Sequence, residues 1–196
     1  MLLSFLEDGE DADSLSENGI SYEGENLEGI VIRNSSFRSV SFSSAFLADS
    51  AITDTVFDSC DFSNADFSSS MLRNVRFVSC RLTGSVFLSS RLKNVAIDNT
   101  VSRYSSFDRT EMHNVSIISS DFSESSFSSV KHDGLRIESS SLKSASFRNT
   151  PLASVSLASS DISGIILSEN LSELKGAKLD VSQALDIAKL LGIEIF

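Results

Sequence analysis

One large apolar residue in every five constrains this chain more than any other feature. From Tyr22 the series steps through Leu27, Ile32, Phe37, Phe42 and Leu47, and holds the same register to Leu157, Ile162 and Leu167. Of its 30 positions only Ser102 and His132 are not large and apolar, and no insertion or deletion interrupts it. The residue two places before each is small or compact, as at Val40, Ala45, Ser50, Thr55, Cys60 and Ala65. The residue two places after is often one that favours turns or tolerates positive φ, as at Gly24, Gly29, Asn34, Asn64, Asn74 and Gly84.

A period of five suits neither regular element. On a helix five residues advance roughly 500°, so successive large residues scatter about the axis. On a straight strand an odd period sends them to alternate faces. All of them face inward only if the chain turns a corner in each repeat, which makes a solenoid. Residues 20 apart agree in kind: Phe67, Phe87, Phe107, Phe127 and Phe147, flanked by Leu47 and Leu167. Residues 15 apart, such as Phe67, Leu82, Ile97 and Met112, do not. The coil therefore has four sides, and the spacing predicts an all-β solenoid of square section with coils stacked at about 4.8 Å. Each large side chain contributes about 1.5–3 kcal/mol on burial, while ordering each residue costs about 1–2 kcal/mol. A single coil cannot stand alone, so both ends need caps.

Three segments follow: an acidic N-terminal cap over residues 1–19, the solenoid over 20–169, and a C-terminal module over 170–196. In the last, Asp180 or Ser182 can N-cap a helix whose apolar stripe is Val181, Ala184, Leu185, Ala188 and Leu191, with Gly192 stopping it. Ile193–Phe196 reads as a short strand. The stripe is expected to cover the end of the rod, leaving Ile187, Leu190, Ile193, Ile195 and Phe196 as surplus apolar surface.

Charge narrows the function classes. With 27 acids against 16 bases the net charge is −11, which excludes a generic basic nucleic-acid binder. Residues 1–32 hold nine acids and no base, whereas residues 33–168 hold 13 of each. No apolar run approaches the roughly 20 residues of a membrane span. The first residues lack a basic signal-peptide region, and two cysteines make no disulfide framework. A soluble cytoplasmic protein without membrane association is the expectation.

No catalytic constellation emerges. His132 replaces an inward apolar residue and is read as a buried, hydrogen-bonded histidine. His113 faces outward beside Asp133 on the next coil. Neither joins a set of ligands at metal spacing. Cys60 and Cys80 share one column, so their sulfurs can approach; free buried thiols and a bonded pair both stay open. Ser-x-x-Lys occurs at Ser140–Lys143 and Ser172–Lys175, but 44 serines make such matches commonplace. No nucleophile elbow, P-loop or dinucleotide fingerprint occurs. The sequence reads as a non-enzyme with no cofactor and no metal.

The five-residue unit, in Cys60-Asp61-Phe62-Ser63-Asn64-Ala65-Asp66-Phe67-Ser68-Ser69, resembles the A-(D/N)-L/F-x-x unit of pentapeptide-repeat proteins. That resemblance implies a right-handed quadrilateral parallel β-helix, here with a short C-terminal α-helix and strand. The ending from Asn170 is similar to that of the Qnr- and MfpA-type subgroup, which protects type II topoisomerases from inhibitors such as quinolones. It implies a homodimer through Ile187, Leu190, Leu191, Ile193, Ile195 and Phe196, and a partner such as DNA gyrase or topoisomerase IV, bound by imitating duplex DNA without direct contact to nucleic acid. A mimic needs one acidic surface. The candidates are Asp61, Asp121, Glu124 and Asp161 beside the Phe42–Phe62–Phe122 column, Asp58, Asp98 and Glu138 on the preceding side, and the acidic N-terminal segment. A structural or adaptor rod that binds some other protein is the alternative.

Overall fold

A computed structural model describes residues 2–194. The chain winds as a parallel β-solenoid in which each residue sits over the one 20 positions on. Helix α1 (Leu2–Asp8) leads into β1 (Ala12–Asp13), β2 (Ser16–Asn18), β3 (Val31–Arg33) and β4 (Ser36–Arg38). Four eight-residue strands follow, β5 (Ala51–Asp58), β6 (Met71–Val78), β7 (Arg91–Asp98) and β8 (Glu111–Ile118), then β9 (Lys131–Asp133) and β10 (Arg136–Glu138). Each long strand wraps two faces: Ile52, Leu72, Leu92 and Met112 stack on the first, Phe57, Phe77, Ile97 and Ile117 on the second. The third and fourth faces are held by single bridges, Ser41–Asp61–Arg81 and Phe46–Asp66–Val86. There a turn closes on each large residue, as Ala45 N–H donates to the Phe42 carbonyl at 3.0 Å, so little extended chain remains.

The interior is a set of ladders. The rings of Phe67, Phe87, Phe107, Phe127 and Phe147 stack at centroid spacings of 4.6, 4.7, 5.1 and 4.9 Å and within 7° of parallel. The small position beside each corner is also inward, and its hydroxyl or thiol meets backbone carbonyls. Ser70 Oγ donates to Leu47 O at 2.7 Å, Cys60 Sγ to Phe37 O at 3.4 Å and Cys80 Sγ to Phe57 O at 3.3 Å. This accounts for part of the serine content: the site is buried and offers an acceptor. On the outside an amide ladder runs from Asn114 to Asn94 to Asn74 to Asp54, at 3.0, 2.8 and 2.7 Å.

The two breaks in the apolar series are accommodated differently. Ser102 is buried and its hydroxyl pairs with that of Ser105 at 2.9 Å. His132 is only half-buried, not buried as the sequence suggests, and its Nε2 meets the Pro151 carbonyl. Its neighbours in the column, Met112 and Leu152, offer the ring no acceptor, whereas the backbone at the coil edge does.

Parallel pairing begins earlier than the expected residue 20, because Ala12 and Glu17 already lie over Ile32 and Phe37. An apolar series cannot reveal this, since the inward residue is a carboxylate. Glu17 is buried, both its oxygens accept from Tyr22 Oη at 2.9 Å, and Tyr22 Oη accepts from the Leu2 N–H at 3.2 Å. Burial foremost, with the carboxylate beside it, pushes the Tyr22 hydroxyl up to about 12.

The other end is closed by polar side chains that stand in for a missing coil. Residues 173–178 lay a last partial rung, with Leu152 N–H donating to Glu173 O at 2.8 Å and Leu157 N–H to Lys178 O at 2.9 Å. The Glu173 carboxylate is buried and accepts from Asn149 N–H at 2.8 Å, from Ser168 N–H at 3.2 Å and from the Ser168 hydroxyl. Helix α2 (Val181–Leu190) starts in a capping box of Asp180 and Gln183. Gln183 is buried and its Nε2 donates to Leu157 O at 2.5 Å and Ser160 O at 2.7 Å.

That docking corrects the expected helix face. Gln183 and Ile187 face the rod, while Ala184, Leu185 and Leu191 are exposed. Orphan carbonyls at the rod's end select an amide donor over an apolar stripe. Ile187 is half-buried and packs against the core. Ile193 and Glu194 are not in a strand; Ile195 and Phe196, the rest of that expected strand, lie outside the described residues.

Two predictions follow from this packing. Phe107→Ala removes a ring from the middle of the longest stack and is expected to cost about 3–5 kcal/mol in urea unfolding; an unchanged midpoint contradicts the ladder. Burial pushes the Glu173 carboxyl up, but the bonds from Ser168 and Asn149 outweigh it and hold it below the ordinary value. A lowered folded-state pKa stabilises above the unfolded value, about 4.3, and that stability is lost as pH falls through the folded value. Glu173→Gln should therefore flatten part of the acid limb of thermal stability and leave the pH-independent region parallel to that of the parent.

Candidate functional site

A solenoid presents its four faces to its surroundings, and the placement of charge on them is the relevant geometry. Outward positions flank each inward residue, so a charge's neighbours are those 18 to 22 residues away as well as those on its own strand. Among the described residues no group of three potential metal ligands comes together.

Six of the seven acids singled out above are ion-paired. On the second face Asp58 meets Arg38 at 3.1 Å, Asp98 meets Arg76 at 3.8 Å, and Glu138 takes a two-pronged contact from Arg136. On the third, Asp61 meets Arg81 at 3.6 Å, and Arg103 lies 3.9 Å from Asp121 and 3.6 Å from Glu124. Asp61 and Asp121 also hold their own corners, accepting from the N–H of Ser63 at 2.8 Å and of Ser123 at 2.9 Å. Asp161 forms no ion pair among the described residues. The Ser163 N–H, at 2.9 Å, is the main cause holding its carboxyl below the ordinary value. These residues alternate with arginines and do not merge into one bare acidic surface.

Acids without such partners gather elsewhere. Glu25, Glu28 and Asp49 are exposed and Asp66 is half-exposed on the fourth face, and none is ion-paired among the described residues. They surround Phe46, which is 54% exposed and bridges Asn26 and Asp66 on the adjacent coils. Asp49 and Asp66 were not among the sequence candidates. The signal for them lay in the column: the residues 20 before and after are Gly29 and Ser69 for Asp49, Phe46 and Val86 for Asp66, none of them basic. The same test applied to Asp58 or Asp61 finds Arg38 or Arg81.

At the C-terminal end Val181, Leu185, Leu190, Leu191 and Ile193 are exposed, Val181 by 80%. Leu190 and Leu191 flank a groove floored by Ile165, Ile166 and Leu167. In the mid-rod Cys60 and Cys80 are both buried free thiols, and the neighbouring Cys60 thiol first, then burial, pushes the Cys80 thiol up.

Residues 30–107 match the family model for the pentapeptide repeat region. No match was found among curated proteins. Among solved structures, a trypsin-treated form of QnrB1, a plasmid-mediated fluoroquinolone resistance protein, aligns at 22% identity. It covers 94% of this chain and 99% of that one with a TM-score of 0.50. HetL from the cyanobacterium Nostoc sp. strain PCC 7120, a pentapeptide repeat protein involved in heterocyst differentiation regulation, aligns at 15% identity over 89% and 94% of the two chains, TM-score 0.44. Repeat unit, matched region and coil geometry agree over residues 30–107, which form a pentapeptide repeat region.

Proposed function

We propose that this protein is a non-catalytic binding rod that imitates duplex DNA and enters the DNA-binding groove of a type II topoisomerase such as gyrase, protecting it from inhibitors of the quinolone kind. The observation that carries this reading is the acidic surface of Glu25, Glu28, Asp49 and Asp66, none of them ion-paired among the described residues, next in sequence to a base-free N-terminal segment. A basic groove is attracted by such a surface, and steering toward it falls with salt. The likeness in fold to QnrB1 supports the choice of partner. The site of action proposed is the cytoplasm, where free thiols persist. A supercoiling assay with gyrase and titrated protein, with and without a fluoroquinolone, tests it. Neutralising Glu25, Glu28, Asp49 and Asp66 is expected to weaken the effect on gyrase about tenfold or more. Neutralising the arginine-paired Asp58, Asp61, Asp98 and Asp121 is expected to weaken it less. If the parent protein leaves supercoiling unchanged in every arm, the reading fails.

The adaptor reading has its own observation: arginines neutralise six of the seven acids first expected to form the mimic surface. A rod so balanced suits a partner recognised by shape more than by charge.

We further propose that the rod is a homodimer joined through its C-terminal ends, because Val181, Leu185, Leu190, Leu191 and Ile193 expose an apolar surface that a two-fold partner would cover. Light scattering should give twice the chain mass for the parent and the single-chain mass for Leu190→Asp/Leu191→Asp, with the circular dichroism of the rod retained. A parent of single-chain mass at micromolar concentration rejects the dimer.

A further inference from the structure

Several arginines stand opposite an acid on a neighbouring coil: Arg33 by Asp11, Arg38 by Asp58, Arg81 by Asp61, Arg103 by Asp121. In the middle of the first face two cations stand opposite each other instead. Arg73 and Lys93 are direct register partners, and the next residue of their column is His113. All three are exposed, and among the described residues neither Arg73 nor Lys93 forms an ion pair. In the adjoining column Arg91 and Lys131 share one acid, Glu111, at 3.2 and 4.0 Å. The nearest other carboxylates are committed or peripheral: Asp54 accepts from Asn74 at 2.7 Å, and Asp133 lies at the far edge beside His113.

Like charges directly opposite in a sheet destabilise it. Elsewhere a base without an ion pair, such as Arg109 or Arg148, stands between serines of the neighbouring coils, whereas here two cations face each other with no acid paired to either among the described residues, and that is what a contact surface looks like. The chain carries a net charge of −11, so this basic patch runs against the field of the whole.

We propose that the first face docks an extended acidic segment of a partner protein, with carboxylates on alternate residues. Arg91 and Lys93 flank the inward Leu92, so their backbone positions are about 6.6 Å apart, the step between alternate side chains of an extended peptide. Beside them a pocket of about 280 Å³ is lined by Arg91, Met71 and the serines 69, 70 and 89, where Arg91 supplies a guanidinium and the exposed Ser69 and Ser89 supply hydroxyl donors for one carboxylate. Met71 is 53% exposed and gives an apolar contact between the cations. A nucleic-acid strand fits less well. The face presents no Phe or Tyr on which bases could stack, and the acidic remainder of the rod repels a long polyanion. This reading is independent of the topoisomerase proposal, which uses the fourth face.

The test is fluorescence anisotropy of the full chain with a labelled peptide of alternating Glu and Val, at low and moderate salt. Its Gln counterpart and a labelled thymidine oligonucleotide serve as comparators. The Glu peptide should bind in a salt-sensitive manner, the Gln peptide should not, and Arg73→Glu/Lys93→Glu should weaken binding about tenfold or more. Arg81→Glu, on the third face, should leave it unchanged, and all variants should keep the parent's circular dichroism melting curve. Absence of binding at low salt, equal binding of the Gln peptide, or insensitivity to the double reversal overturns the proposal. Tighter binding of the oligonucleotide than of the Glu peptide overturns it in favour of nucleic acid.

Discussion

The rod depends on a backbone held at positive φ at corner after corner. Asn64 at 58° and Asn74 at 55° are easy cases, but Ser44, Tyr104, Arg109 and Glu124 adopt the same conformation at 57°, 59°, 57° and 60°. For residues with a Cβ other than Asn and Asp, each such corner costs on the order of 1 kcal/mol. The corner residue offsets this strain with its own N–H, which reaches the coil above: Ser44 to Ser63 O at 2.7 Å, Asn64 to Thr83 O at 2.8 Å, Glu124 to Lys143 O at 2.8 Å. Strain and hydrogen bond are thus local to one residue, and neither survives without the neighbouring coil. Cooperativity along the rod follows from this, as does the need to finish both ends.

The finishing is done with polar atoms. At the N-terminal end Glu17, Tyr22 and the Leu2 N–H form a buried chain of hydrogen bonds, and at the other Glu173 and Gln183 take the places of absent backbone acceptors and donors. Between these ends the corners lie directly over one another, as Gly84 does over Asn64. The φ of Gly84 is +70°, and a Cβ there would fall 2.4 Å from Asn64 Oδ1.

Much of the fold was legible because its determinants are periodic. The five-residue register shows the corners, and the phenylalanine column at 20-residue steps shows their number. What escaped is what breaks the period. Glu17 is inward but charged, so the first rung at Ala12 looked like part of a cap. Gln183 docks α2 because unpaired carbonyls await it, a demand visible only once the last coil is laid down. The acidic surface was half legible: Asp58, Asp61 and Glu124 are outward as expected, but whether an outward acid is bare depends on the column it shares. Arg38 and Arg81 lie 20 residues from Asp58 and Asp61 and were readable. Arg103 reaches Asp121 and Glu124 across offsets of 18 and 21 residues, which side-chain direction decides.

The uninterrupted register has a consequence for how such a molecule can change size. Removal or gain of a few residues within the solenoid would rotate every later side chain onto another face, turning interior outward. A whole coil of 20 residues is the smallest unit that leaves all four faces in phase, and it alters the length by about 4.8 Å. The rod is therefore a ruler graduated in single coils, and the distance between its acidic first coils and its apolar last helix takes only discrete values.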